Sequence, residues 1–588
     1  MKSDPYQSAV QHFTAGRYAE AQSCCQQSLQ ENPENADALH LMGTLYLLSG
    51  RYDEAVGWLV DAIRKSPQPN YLVSLGHALL KLGRGDEAIR CFDKAVQLKS
   101  DDAGIWKQYG DALLQVQRHD LALKAFQRVN ELDPGQSDAF FKSGVLLHYS
   151  GRYQEALACF DRCPESAVLH RERGRTLQEL KRFAEALAAN QKADAIEPGN
   201  GDTCNNIGSC LRFLGREEEA LHWYERADAA LPDTVEILNN RALLLGDLQR
   251  FDEAFALYGD MKTRGLGNAL TDWNRSQIEL LTGDFDAGWR GREARWSKPN
   301  PIVYPALDRP MWLGESPVDG KAILLHVDEG LGDTIQFVRY APMLADRGAR
   351  VIMVVEPAAQ QLLAGLPGVS QCLSYPANPL PEFDLHCAIG SLPLAFRTRL
   401  ETIPAAPAYL PRPAEDGINA WESRLAAGRG LRVGLVWSGN PAHLNDRNRS
   451  IPLSMMAGLL DIDASFVSLQ KDPRPADKAF LATRTDIQDF TADLADLSDT
   501  AALIECLDLV ITVDTSVAHL AAALGRQTWI LLPYTPDYRW LLRREDSPWY
   551  PTARLFRQTE AREYGQVIEQ VRKELTELVL RQRRMAGP

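Results

Sequence analysis

The sequence contains no C-x-x-C pair and no run of 18 apolar residues, although it is 588 residues long. The second absence leaves no candidate transmembrane helix. Ten cysteines are scattered along the chain, the nearest spacings being Cys24-Cys25, Cys159/Cys163 and Cys204/Cys210. They read as reduced thiols packed in helices, and the chain as cytoplasmic. Positive charge is also short. A formal net charge of -14 argues against a general nucleic-acid or anionic-membrane binder, although a local basic patch can still hold a phosphate. The first residues, MKSDPYQSAVQHFTAGRYAEA, lack a long apolar stretch, so no export signal is expected. What remains is ordinary globular material, 45% hydrophobic and 24% charged, enough at roughly 150 residues per domain for three or four folding units.

Internal repeats occupy the first half. The phrases GRYAEA, GRYDEA, GRGDEA, QRHDLA, GRYQEA, KRFAEA, GREEEA and QRFDEA place an Arg at 17, 51, 84, 118, 152, 182, 216 and 250, with steps of 34, 33, 34, 34, 30, 34 and 34. A weaker ninth copy, GDFDAG, places Asp284 one further step on. Small residues recur inside each unit, as at Gly43 and Ala55, where they leave room for close helix packing. Pro33, Pro67, Pro134, Pro198 and Pro232 close second helices because proline cannot extend the amide ladder. This pattern resembles the tetratricopeptide repeat over residues 4–296. The resemblance implies an all-α superhelix of eight to nine helix pairs with a peptide-binding groove.

One column of the repeat bears on that groove. Two residues before the first-helix Gly stand Leu41, Ser74, Gln108, Lys142, Glu172, Asn206, Asn240 and Asn274. Seven of these eight are polar, and the last three are Asn. An amide side chain donates and accepts, which suits pairing with an extended peptide backbone, so Asn206, Asn240 and Asn274 are candidate acceptor contacts. A solvated helix face would be polar there too. A similar asparagine ladder lines the repeats of the eukaryotic O-linked N-acetylglucosamine transferase.

A proline-rich connection follows, SKPNPIVYPALDRPMWLGESP, read as a linker over 297–317. Thereafter apolar runs alternate with helical patterns: KAILLHV, RVIMVV, FDLHCAI, LRVGLVW, SFVSLQ, DLVITV and QTWILLP. Such alternation predicts parallel sheets covered on both faces. The segment PRPAEDGINAWESRLAAGRG breaks it, which divides the region into two Rossmann-like halves, 318–412 and 430–560, joined by 413–429. A basic helix and tail (561–588) end the chain.

In HVDEGLGDTIQFVRY a strand gives way to a glycine turn and a helix, so Asp328, Glu329 and Asp333 are expected to face a cleft between the halves. A dinucleotide fingerprint fails, because Gly330 and Gly332 are followed by Ile335 where the third glycine belongs. Asp333 fits a helix N-terminal cap or a chemical role. In the second half DLVITVDTSVAHLAAALG sets Asp514, Thr515 and Ser516 between a strand and a helix, an anion cradle with His519 one turn in. VWSGNPAHLNDRNRSIPL adds Ser438, Gly439, Asn440, Arg447 and Arg449. LQKD adds Gln470 and Lys471, and LLPYTPDYRW adds Tyr534, Asp537, Arg539 and Trp540. The D-x-D at Asp461 and Asp463 reads as a turn, and no metal is expected.

From Lys321 to Arg557 the chain resembles the GT-B glycosyltransferases of family 9, the lipopolysaccharide heptosyltransferase group. The matches are GLGD after the first strand, RSIPL after the fourth apolar run, and DTSVAHLAAALG. The resemblance implies a metal-independent transfer from a nucleotide-sugar, with no other cofactor. Asp333 would be the base, Glu329 an acceptor contact, and Arg449, Thr515, Ser516 and His519 part of the donor site. Repeats followed by a GT-B-like domain also resemble bacterial flagellin glycosyltransferases, which makes flagellin a plausible client and a CMP-nonulosonic acid an alternative donor. The competing expectations are a transferase acting on a lipid-linked or lipopolysaccharide glycan, and a non-catalytic repeat adaptor.

Overall fold

In the computed structural model residues 4–298, 307–425, 430–443 and 445–586 are described. The chain forms two compact units, residues 1–237 and 238–588.

The first unit is a stack of helix hairpins running from Pro5–Thr14 and Tyr18–Glu31 to Gly201–Leu214 and Glu217–Ala230. Each repeat Arg stands at the residue before a second helix, as Arg51 does before Tyr52–Lys65, without a side-chain cap. Most of them pair with the Glu three residues on, for example Arg84 Nε to Glu87 Oε1 at 2.7 Å, whereas Arg17 bonds His12 Nδ1 at 2.9 Å. Where Leu121 replaces that Glu, Arg118 reaches back to Asp86 of the preceding repeat at 2.6 Å. The glycines of the first helices are required by close packing: a Cβ at Gly76 would lie 2.6 Å from the Phe92 ring, which is fully buried. The one short step in the period has a local cause. Tyr153–Phe160 has eight residues where its counterparts have 14, and Pro164 follows shortly after.

The last repeat helices, Phe251–Thr263, Ala269–Thr282 and Phe285–Arg292, fall in the second unit. They share its core: Trp289 is buried, donates to the Thr398 carbonyl at 3.0 Å and meets Phe337, Tyr538 and Trp549 edge to face. Part of the expected linker, 299–306, lies outside the described residues; beyond it Trp312 is buried and donates to the Ser316 carbonyl.

Two parallel sheets follow. Strands β1 (Ala322–His326), β2 (Arg350–Val355), β3 (Val369–Ser374) and β4 (Leu385–Ala388) are ordered β3-β2-β1-β4. Strands β5 (Arg432–Val436), β6 (Ser465–Ser468), β7 (Ile487–Asp489), β8 (Leu509–Val513), β9 (Thr528–Leu532) and β10 (Ala553–Arg557) are ordered β10-β9-β8-β5-β6-β7. The central strands β1, β8 and β9 are buried along their whole length, which is why they read as continuous apolar runs. Helix Glu415–Arg424 lies between the sheets in sequence. Helix Tyr564–Ala586 closes the second sheet, with Val567, Val571 and Leu575 in the core beside Val433 and Ile511. Among the described residues no helix is long and apolar enough to cross a membrane.

Candidate functional site

Within the second unit the carboxyl ends of β1, β5, β6, β8 and β9 open on one cleft of about 790 Å³. Its walls include Gly330 to Asp333, Ser438 to Asn440, Arg449, Gln470 to Asp472, Asp514 to Ser516, His519 and Thr535 to Arg539. The remaining wall comes from the repeats: Asp247, Asn274 and Gln277 line the same space.

Asp333 stands at the third position of helix Leu331–Phe337, and its Oδ2 accepts the Gly330 amide at 3.1 Å. The cap and the cleft position therefore hold together. Its other oxygen is gripped by Arg539, whose Nη1 also lies 2.8 Å from Asp537 Oδ1. Burial, opposed by Arg539 and reinforced by the Glu329 carboxylate, raises Asp333 to about 7, the range of a general base at neutral pH. Gly332 beside it is a point of close approach, since a Cβ there would lie 2.9 Å from His519 Cδ2.

Thr515 is the N-cap of helix Ser516–Ala523, whose first amides have no intrahelical acceptor and point toward any anion placed before them. Arg449 crosses from the β5 loop and donates to the Asp514 carbonyl at 2.9 Å. Its guanidinium lies so close over Gly439 that a Cβ there would be 2.7 Å from Nη2. Burial, with Asp537 adding and Arg449 opposing, pushes Asp514 up to about 6. Ser438 is buried at the rim, and the Gln470 side chain accepts the amides of Trp437 and Ser438 at 3.1 and 2.9 Å. Gln470 thus shapes the β5 loop. Asn440 turns its own loop by accepting the Ala442 amide at 2.9 Å, and exposed Lys471 reaches the Ala495 carbonyl at 3.4 Å.

His519 lines the cleft but is 3% exposed, accepts or donates at Nδ1 to Tyr550 Oη at 2.8 Å, and stacks on Trp540. Burial, with Arg539, Arg339 and Arg449 adding, drives it well below the ordinary histidine value, so it is a neutral wall rather than a phosphate cation.

Several expectations need correction. Asp328 and Glu329 do not line the cleft. Asp328 is buried on Arg295 Nη2 at 2.8 Å and accepts the Gly390 amide, while Glu329 pairs with buried Arg292 at the end of the repeat helices. Two arginines from the repeats consume both carboxylates. Arg447 is exposed and is not among the cleft residues, because helix Asp446–Arg449 turns it away from the side that carries Arg449. Members of the polar column are already paired with neighbouring residues on the first helices of adjacent repeats. His40 meets Ser74 at 2.9 Å, His77 meets Gln108 at 2.9 Å and Lys142 donates to Asp111 at 2.6 Å. Asn206 lies half-buried in the first unit; Asn240 and Asn274 lie in the second, and Asn274 donates to Asn239 at 3.0 Å while lining the cleft. Asp463 contacts Arg583 on the surface, away from the cleft. Sequence reasoning missed Gln277 and the Arg539 to Asp333 pairing. The GDFDAG copy was the only hint that a repeat helix stood so near.

Residues 487–573 match the family model described as glycosyltransferase family 9 (heptosyltransferase), and residues 12–75, 73–137 and 201–233 match tetratricopeptide-repeat models. The chain is similar to Protein FlbA of Caulobacter vibrioides, 28% identical over 315 residues, which cover 49% of this chain and 52% of the relative. It therefore spans about half the length of the curated relative it matches. Among solved structures it is similar to YrrB, a TPR protein with an unusual peptide-binding site, at 24% identity over 32% of this chain and 90% of that one, TM-score 0.25. It is also similar to the C-terminal part of a TPR repeat-containing protein from Cytophaga hutchinsonii, at 16% identity over 40% and 98% of the two chains, TM-score 0.35. The chain thus joins N-terminal tetratricopeptide repeats to a C-terminal segment that matches the glycosyltransferase family 9 model.

Proposed function

We propose that the protein is a GT-B glycosyltransferase that moves a sugar from a nucleotide-activated donor to a Ser or Thr hydroxyl of a protein held by its repeats, with flagellin as the first candidate client. The observation that carries this reading is the composition of one cleft. It is lined by a carboxylate held near neutrality, Asp333, by an Arg449 and helix-amide cradle, and by repeat side chains Asn274 and Gln277. In the reaction the acceptor hydroxyl attacks the anomeric carbon and gives its proton to Asp333. The nucleotide phosphate leaves against Arg449, the hydroxyls of Thr515 and Ser516 and the first amides of their helix, groups fixed before charge develops. Positioned general-base catalysis of this kind is worth roughly 10²- to 10⁴-fold. No step calls on a metal. The reaction is assigned to the cytoplasm.

The heptosyltransferase description of the matched family favours a second reading, transfer to a lipid-linked saccharide. Against it stands the repeat wall of the cleft, which a saccharide acceptor does not need. Nucleotide release separates the two. The purified enzyme is given UDP-, GDP-, ADP- and CMP-linked sugars with flagellin or with a lipid-linked oligosaccharide. The proposal expects release stimulated by flagellin and lost in Asp333→Asn; stimulation by the saccharide alone overturns the protein acceptor.

A further inference from the structure

Both oxygens of Asp333 are occupied. Oδ2 accepts the Gly330 amide at 3.1 Å, a contact fixed by the turn itself, and Oδ1 is held by Arg539. Each oxygen keeps a second lone pair, but the guanidinium on Oδ1 favours the ionised form, so Asp333 is a poorer proton acceptor while Arg539 holds it. Release of one of the two partners would make Asp333 the stronger base. The backbone amide is three residues away in the same turn, whereas Arg539 is a side chain from the loop after β9, 206 residues on.

The surroundings of Arg539 indicate where it can go. It is 8% exposed, lines the cleft with Arg449, Thr515 and Ser516, and also pairs with Asp537 and donates to Gln336. Asp514, whose carbonyl Arg449 holds, feels the charge of both arginines. A donor phosphate entering at the Thr515 amides meets Arg539 across the same space, and an Arg fork binds phosphate as readily as carboxylate. The groups around Asp333 are Glu329 on its own turn, Arg292 at the end of the repeat helices, Arg539 and Asp537 on the β9 loop, and His519 against Gly332.

We propose that Arg539 is a switched positioning residue: it holds Asp333 until the donor phosphate draws the guanidinium to itself, and that exchange frees Oδ1 to accept the proton. The inference rests on the donor reading given above. In the transfer step the acceptor oxygen bonds to the anomeric carbon as the bond from that carbon to the phosphate oxygen breaks. The hydroxyl proton passes to Asp333 Oδ1, and the electron pair leaves with the phosphate, whose charge Arg539 and Arg449 share. Donor binding then precedes productive acceptor binding.

Proton uptake on nucleotide binding tests the exchange without a known donor sugar. Losing Arg539 makes Asp333 a weaker acid, and a tenfold weakening around pH 7.5 takes up roughly half a proton. The full-length enzyme is titrated calorimetrically with UDP, GDP, ADP and CMP in two buffers of different ionisation enthalpy. Uptake is expected for the wild type with the nucleotide that binds. It should vanish in Asp333→Asn, which still binds, and in Arg539→Met, which binds about tenfold more weakly. Binding without uptake in the wild type, or uptake that persists in Asp333→Asn, overturns the proposal. If Arg539→Met does not fold, the Asp333→Asn comparison decides alone. If no nucleotide binds, the donor reading itself falls, a result distinct from binding without uptake.

Discussion

Gly332→Ala sets two effects of opposite sign against each other. Gly332 lies in helix Leu331–Phe337 outside the left-handed region, so helix propensity alone makes alanine better by about 1 kcal/mol. Packing says otherwise. The new Cβ would sit 2.9 Å from His519 Cδ2, about 0.6 Å inside the ~3.5 Å at which carbon atoms rest. His519 cannot retreat, because its ring is hydrogen-bonded to Tyr550 at 2.8 Å and stacked on Trp540, and all three are buried. The helix that carries Asp333 must give instead, at a cost of about 1–3 kcal/mol for overpacking. Clash exceeds propensity, so the variant is expected to lose net stability, and the displacement falls on the residue next to the base. Misplacing a reacting group by about 1 Å costs on the order of 10²-fold, so kcat should fall at least about tenfold with the nucleotide still bound. Denaturant unfolding and nucleotide-release kinetics measure the two effects. A Gly332→Ala protein as stable as the wild type, with unchanged kcat, refutes the close approach and the argument built on it.

Three further outcomes follow from particular residues. With Asp333 near 7 and required as the carboxylate, kcat/KM should fall about tenfold per pH unit below 7 and level off above it. Its stability contribution runs the other way, favouring the fold when protonated and lost as pH rises through about 7, which Asp333→Asn should remove. Arg295→Met leaves Asp328 buried without its partner and should cost about 3–5 kcal/mol in urea unfolding of the second unit. In the repeats, Gln117 and Lys181 occupy left-handed turn positions, φ 59° and 57°, that glycine fills elsewhere. Replacing either with Gly relieves about 1–2 kcal/mol of backbone cost and returns about 0.5–1 to chain entropy, so the denaturation midpoint should rise slightly.

The repeats were legible because a period survives any single substitution, and the short helix Tyr153–Phe160 announced itself as a 30-residue step. Seven of the ten strands among the described residues were legible as apolar runs. The three missed were β3, half-exposed along its length, β7, three residues long, and β10, where Arg554 and Arg557 flank a short apolar centre. The glycine turn and the Thr515 helix start could be read because local chemistry dictates them. Pairings could not. Whether Glu329 meets a substrate or Arg292, and whether Arg539 meets a phosphate or Asp333, depends on which distant elements the fold brings together. The repeat column shows the same limit: composition marks Ser74, Gln108 and Lys142 as polar, but only the stacking of successive helices reveals that their neighbours already satisfy them.

The central claim is that Asp333 and the repeat wall serve one transfer onto a protein. Its most direct test is the intact mass of flagellin from cells expressing the wild type, Asp333→Asn or Asn274→Ala/Gln277→Ala. A sugar-sized mass present with the wild type, absent with Asp333→Asn and reduced with the repeat-wall double variant, all three proteins being folded, is the predicted result. An identical flagellin mass in all three strains contradicts it.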